Sequence, residues 1–155
     1  MSTLKCNRIE NTSTASGGLD VDSSGKVRIT TLADSSGNNN STPAEIASGR
    51  AKAWVNFNGT GTIAIRASYN VSSLTDNAVG DYTINFTNAM ADGNFAVAGS
   101  GRYGDNSGIG TMRVLSVSSV GTLANAMTTS SVHVGIAYQN GGSEDVQVVT
   151  VAIFR

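Results

Sequence analysis

Residues 51–98 read AKAWVNFNGTGTIAIRASYNVSSLTDNAVGDYTINFTNAMADGNFAVA, and this stretch decides the fold. Its side chains alternate with a period of two. In an extended chain Val55 and Phe57 therefore fall on one face, and Trp54 and Asn56 fall on the other. Alternation of this kind is typical of a strand with one buried and one solvated face. The stretch predicts antiparallel β-structure.

Tight-turn sequences separate the predicted strands. Asn58-Gly59 favours a hairpin, because both residues tolerate a positive φ, and Asp92-Gly93 is a second signal of the same kind. Continued to residue 154, the pattern gives about seven strands with turns between them. The expected fold class is all-β: an antiparallel β-sandwich with an extended N-terminal arm and one short helix.

The strand that follows Asn58-Gly59 allows a prediction of faces. Simple alternation places Ile65 and Tyr69 inward and Arg66 outward. An outward Arg66 would be free to pair with Asp81 on a neighbouring strand, a surface ion pair worth about 0–1 kcal/mol.

The residues before position 50 have a different character. Residues 1–41 lack a core pattern, and Leu4 and Ile9 are isolated apolar anchors suited to tethering the chain to a partner. Thr42 and Glu45 form a capping box, which predicts the start of a short helix. The predicted segments are an extended arm over 1–41, a helical hinge over 42–49 and a β-sandwich domain over 50–155.

Composition argues against several classes of protein. A formal net charge of -1 with 14% charged residues offers no basic patch for phosphates, so we expect no nucleic-acid partner. The N-terminus lacks the apolar core of a signal peptide, and the longest apolar run, residues 146–154, is too short to span a bilayer. The single cysteine, Cys6, has no intrachain disulfide partner.

Residues 20–25, DVDSSG, match the opening half of a calcium-binding loop. Asp20 and Asp22 would supply oxygen ligands, and Gly25 would allow the sharp turn. The twelfth position is Thr31, where such loops need a bidentate glutamate. A hairpin turn is the preferred interpretation, and we expect neither a metal nor another cofactor.

Residues 99–104, GSGRYG, match the pattern of a phosphate-binding glycine loop. A nucleotide site would need a helix next, whereas Asp105 to Gly108 read as a loop. We interpret 99–110 as an exposed glycine-rich loop. Arg102 and Tyr103 within it are candidate recognition residues, since both types are favoured in binding sites.

Two further residues are candidates for a site. His133 is the only histidine and alternates with apolar neighbours, so a sheet-surface position is expected in the absence of evident catalytic partners. Trp54 lies on the polar face of its strand. It is either covered by a loop or part of an intersubunit contact, with sugar binding as a further alternative.

The chain also resembles a known family. The segments Ser35 to Glu45 and Gly49 to Phe57 are similar to a module at the C-terminal ends of tail-fibre and related virion proteins of tailed bacteriophages. So are Tyr69 to Tyr82 and the turn around Met90 to Phe95. The resemblance implies a virion location and a trimeric β-structure. It carries over no catalytic residues.

Three functions follow as expectations. The first is a non-enzymatic virion protein, a short tail fibre or adhesin tip. It would form a homotrimer, be held by other virion proteins through the arm, and attach to a host-surface glycan or protein. The second is a capsid decoration protein. The third is a carbohydrate-active enzyme, which the lack of an evident carboxylate pair argues against.

Overall fold

The structure is a computed structural model that describes residues 8–10, 18–29, 31–33, 36–37, 40–102, 113–117, 126–138 and 142–155. The chain divides into two compact units, Met1–Ser48 and Gly49–Arg155. The larger unit is an antiparallel β-sandwich, so the predicted all-β sandwich with one short helix is confirmed.

The smaller unit contains a three-stranded antiparallel sheet and a helix. The strands are β1 (Arg8–Glu10), β2 (Gly18–Val21) and β3 (Val27–Arg28), and the helix is α1 (Pro43–Gly49). The predicted capping box forms: Glu45 Oε2 accepts hydrogen bonds from the backbone N–H of Thr42 (2.7 Å) and from its hydroxyl (2.9 Å). The arm prediction did not anticipate the pairing of β1 with β2, because this segment has almost no apolar alternation.

The described residues of the larger unit form eight strands. They are β4 (Ala51–Asn58), β5 (Ala64–Tyr69), β6 (Val71–Ala78), β7 (Asp81–Phe86), β8 (Ala96–Arg102), β9 (Arg113–Val117), β10 (Ser131–Tyr138) and β11 (Val148–Phe154). Sheet A has the order β5-β4-β11-β8, and sheet B has the order β9-β10-β7-β6. A single described pair, Gly101 with Arg113, joins the two sheets along β8 and β9.

The core lies between the sheets. From sheet A it takes the inward residues of β4 and β11, and from sheet B those of β7 and β10. The central members are Val55, Phe57, Val149, Val151, Ile153, Tyr82, Ile84, Val132, Val134 and Ile136. The Phe57 and Tyr82 rings meet edge-on across the sandwich, with centroids 5.1 Å apart, an arrangement that adds to the stabilisation from burial.

Sheets A and B are also joined at a corner. A single residue, Asn70, separates β5 from β6, and its φ of 56° lies in the left-handed region. Its side-chain amide donates to the carbonyl of Lys52 (3.1 Å) and to that of Asn88 (3.1 Å), and its Oδ1 accepts from the N–H of Asn88 (2.7 Å). Asparagine tolerates this backbone conformation, and these bonds stabilise the turn from one sheet to the other.

Candidate functional site

The outer face of sheet A presents an exposed aromatic pair. Tyr69 lies directly opposite Trp54 on the neighbouring strand, and the same level continues to Ala152 and Ala98 across the sheet. Trp54 is 39% exposed and Tyr69 is 54% exposed. Trp54 therefore faces outward from a rigid sheet, with alanines beside it that leave its ring accessible. We call Trp54 and Tyr69 the aromatic pair.

The outward position of Tyr69 corrects the predicted faces of β5. A β-bulge between Asn56 and Phe57 shifts the register, so Ile65 pairs with Phe57 while Tyr69 pairs with Trp54. An extra residue in a strand reverses the face of every side chain beyond it. Tyr69 is therefore not inward, as simple alternation predicted.

Arg66 lies at this bulge and does not pair with Asp81. Its guanidinium donates to the carbonyl of Phe57 (2.9 Å) and to Asn56 Oδ1 (3.4 Å). It therefore stabilises the backbone of β4 at the bulge. The expected Arg66–Asp81 pair is wrong, because Asp81 pairs with His133 in sheet B.

Arg102 is in a strand and not in the predicted loop. It is the last residue of β8, exposed, and opposite Val148. The two glycines before it take inward register positions. A Cβ on Gly99 would lie 2.2 Å from the carbonyl oxygen of Thr150, and one on Gly101 would lie 3.0 Å from Cγ2 of Ile136. These residues are glycine because the space is already occupied.

The outer face of sheet B carries a hydrogen-bonded cluster around His133. Its Nε2 contacts both Asp81 Oδ1 and the Asn77 amide nitrogen, the latter at 2.9 Å, and Asn77 also donates to Thr83 Oγ1 (3.0 Å). The His133 and Asp81 side chains are 15% and 17% exposed. A nucleophilic triad needs the acid and the nucleophile on different ring nitrogens, whereas here Nε2 makes both contacts. The geometry is that of a structural polar cluster on a sheet surface.

A second polar group is buried in the core, and sequence reasoning missed it. The Tyr82 hydroxyl donates to the Gly59 carbonyl (2.9 Å) and to Asp145 Oδ1 (2.8 Å), and the same carboxylate oxygen accepts from the N–H of Gly80 (2.7 Å). Burial, and then the hydrogen bond to Asp145, raise the pKa of Tyr82 above its usual range. The sequence signal that could have revealed this group is a tyrosine among the inward-facing residues of a strand, because a buried hydroxyl needs a hydrogen-bond partner.

The DVDSSG segment forms a hairpin turn between β2 and β3. Asp22 Oδ1 accepts from the N–H groups of Ser24 (2.9 Å) and Lys26 (3.0 Å), and its other oxygen meets the Arg28 guanidinium (3.2 Å). The Lys26 N–H is the largest cause of a lowered pKa at Asp22. The hairpin interpretation is confirmed, since the Asp22 carboxylate accepts hydrogen bonds from backbone N–H groups of the turn and from Arg28.

The structure describes only some of the remaining candidate residues. Leu4 and Tyr103 lie outside the described residues, as does the rest of the predicted loop after Arg102 up to residue 110. Ile9 pairs with Leu19 in the β1–β2 ladder. In the described part of the chain, no group of three or more His, Cys, Asp or Glu residues is placed to hold a metal ion.

None of the described helices is long and apolar enough to cross a membrane. No family model matches the chain, and neither the curated proteins nor the solved structures include one significantly similar to it.

Proposed function

We propose that this chain is a non-enzymatic structural protein of a tailed-phage virion, a short tail fibre or adhesin tip that mediates attachment to the host. One observation carries the proposal: the chain divides into a small N-terminal unit and a larger β-sandwich. An attachment protein needs one part that the particle holds and one that is presented outward. The resemblance of residues 35–57 to phage fibre modules is the reason for choosing a virion.

The sandwich suits a role in binding. Its strands form a scaffold, and a rigid scaffold holds recognition residues in fixed positions. The aromatic pair and Arg102 are exposed there, and Trp, Tyr and Arg are the residue types that contribute most to binding. The partners we propose are further copies of this chain in a homotrimer, other virion proteins through the N-terminal unit, and a glycan or protein of the host surface.

Imaging of intact particles tests the location. A label attached to this protein is expected to lie at the tail, where a fibre or adhesin tip belongs. Signal spread over the head would contradict the adhesin proposal and favour capsid decoration. Absence of the protein from purified particles would contradict both.

Deletion of residues 1–41 is expected to leave the sandwich folded and to abolish incorporation into particles. The core lies entirely within Gly49–Arg155, so its thermal midpoint should stay close to that of the full chain. The deletion retains Thr42, which caps α1.

Incorporation is measured by immunoblotting purified particles against the full chain, expressed at the same level. Normal incorporation of the deleted protein would contradict the tether role. Loss of the folded state would show that the sandwich depends on the arm, which the separate core argues against.

A further inference from the structure

The aromatic pair is the apolar part of the outer face of sheet A. Trp54 and Tyr69 lie opposite each other on β4 and β5, and their level continues to Ala152 and Ala98. Both rings are exposed, and the alanine side chains beside Trp54 are too short to cover it. A flat ligand can therefore lie on the two rings at once.

A row of hydrogen-bonding side chains crosses the sheet next to the aromatic pair. Asn56 is opposite Thr150, and Thr150 is opposite Ser100. Asn56 is two residues from Trp54, so the two levels share one face and lie about 7 Å apart. The Thr150 and Ser100 hydroxyls lie 3.0 Å apart, and Asn56 Oδ1 accepts a hydrogen bond from Arg66 (3.4 Å). We call Asn56, Thr150 and Ser100 the polar row.

The same face is cationic. The strands of sheet A contain no aspartate or glutamate, and their only charged residues are Lys52, Arg66 and Arg102. Lys52 is two residues before Trp54, and Arg102 is two residues after Ser100, so both share the face with the aromatic pair. A ligand on this face meets positive charges and no carboxylate from the strands beneath it, which favours an anion.

Arg66 is held in position to bind an acidic group. Its Nη1 donates to the Phe57 carbonyl (2.9 Å) and to Asn56 Oδ1 (3.4 Å), whereas its Nε and Nη2 make no hydrogen bond with the described residues. A guanidinium can donate two parallel hydrogen bonds to one carboxylate. Because the bond to Phe57 already fixes the side chain, ordering it on binding costs less entropy.

The size of the face favours a small ligand over a protein. Its four strands have at most eight residues each. They cover about 15 by 25 Å, a projected area of about 400 Å². A stable protein complex buries about 800 Å² on each partner. Nucleic acid is disfavoured as well, because its phosphates need more basic residues than this face has, and the net charge of the chain is -1.

We propose that the outer face of sheet A binds an acidic oligosaccharide. A sugar ring has an apolar C–H face and a rim of polar hydroxyls. The apolar face lies on the aromatic pair, the hydroxyls bond to the polar row, and a sugar carboxylate binds Arg66 or Arg102. This inference rests on the adhesin role of the proposed function and specifies the chemistry of the host-surface ligand.

Binding of the purified full chain to an array of oligosaccharides tests the ligand class. The array carries uronic-acid and sialic-acid oligosaccharides, the methyl ester of each, and neutral oligosaccharides of similar length. We expect signal on acidic members, and a loss of at least about tenfold on their methyl esters, which keep the rings and remove the charge. Equal binding to an acid and its ester, or no signal on any acidic member, would overturn the inference.

Substitutions then locate the site, with calorimetric titration of the acidic oligosaccharide that binds best. Trp54→Ala with Tyr69→Ala removes both rings and is expected to weaken binding by at least about tenfold. Arg102→Gln removes one cation and is expected to narrow the difference in affinity between the acid and its methyl ester, which a merely structural effect would not do. Full binding by the folded ring variant would place the ligand elsewhere and overturn the site.

Two control variants change the same properties away from this face. Val79→Ala removes an exposed apolar side chain between β6 and β7, and Lys26→Gln removes an exposed cation from the smaller unit. Both are expected to bind like the wild type, and circular dichroism checks that every variant is folded. Weakening by the controls to the same extent as by the ring variant would count against a site on sheet A.

The outcomes separate this inference from the proposed function. A protein that lies at the phage tail and binds no acidic oligosaccharide would overturn the inference and leave the adhesin standing. A chain that binds acidic oligosaccharides and is absent from purified particles would overturn the proposed function and support the site. Tighter binding to a single-stranded oligodeoxythymidylate than to every oligosaccharide would assign the face to nucleic acid and overturn the inference.

Discussion

Gly80→Ala is expected to destabilise the sandwich by about 2–5 kcal/mol, from left-handed strain and overpacking together. Gly80 has a φ of 66°, and a Cβ there would lie 2.5 Å from the carbonyl oxygen of Ile136 and 2.6 Å from the nitrogen of Glu144. These neighbours are backbone atoms and cannot rotate away. The Gly80 N–H and C=O are themselves bonded to Asp145 and Ile136, each at 2.7 Å, so the turn cannot shift freely.

Gly61→Ala is the matched control for this prediction. Gly61 has a φ of 61° but nothing within 4 Å of the added carbon. Gly61→Ala should therefore lose only about 1–2 kcal/mol of stability, which is the cost of a left-handed backbone for alanine. Urea denaturation of both variants measures the difference. Equal losses would mean that the space around Gly80 is not limiting.

Tyr82→Ala is expected to cost about 3–5 kcal/mol, as is usual for a buried aromatic ring. Tyr82 is fully buried and packs edge-on against Phe57. Tyr82→Phe keeps the ring and removes the hydroxyl, so the Gly59 carbonyl and the Asp145 carboxylate each lose a hydrogen-bond donor, while Asp145 keeps the Gly80 N–H. The expected cost is about 1–3 kcal/mol. Denaturant midpoints of the two variants separate the contribution of the Tyr82 ring to stability from that of its hydroxyl. Equal losses in the two variants would mean that the ring contributes nothing beyond the hydroxyl, contrary to this prediction.

Tyr82 also predicts a loss of stability at high pH. Its pKa is raised in the folded state by burial and by Asp145, whereas an unfolded tyrosine ionises near about 10. The folded state therefore binds the proton more tightly, and stability falls as pH rises above the unfolded pKa. Tyr82→Phe should flatten this alkaline decline, and Tyr69→Phe, on an exposed ring, should retain it. If stability falls with alkaline pH as steeply in Tyr82→Phe as in the wild type, Tyr82 is not the cause of the decline.

The fold class could be predicted because the core strands alternate regularly. Val55 and Phe57 share one face of β4 in the alternating pattern and are buried, and Tyr82 and Ile84, which alternate with polar residues in β7, are buried as well. The missed strand is β6, Val71–Ala78, which has only Val71 and Leu74 as large apolar residues because it lies at a sheet edge. An edge strand buries too little surface to impose a pattern.

Other features depend on long-range geometry. The outward position of Tyr69 follows from a bulge, and nothing in the order of residues reveals where a strand gains an extra residue. The predicted loop over 99–110 is wrong for the last part of β8, residues 99–102, where glycines replace apolar residues on the inward face. The reason is the nearby backbone of β11 and the side chain of Ile136. The contact between Asp81 and His133 likewise joins residues whose proximity only the sheet order creates.

The position of β11 has a consequence for how the protein is made. β11 lies between β4 and β8, so Val151 pairs with Val55 on one side and with Gly99 on the other. While a ribosome is still synthesising the chain, β4 and β8 emerge long before the strand that joins them. Sheet A therefore cannot form co-translationally in strand order. Until β11 emerges, the edges of β4 and β8 that pair with it have no strand partner, and closure over such sequence separations is slow. Unpaired strand edges of this kind are the surfaces through which folding intermediates aggregate and which chaperones shield.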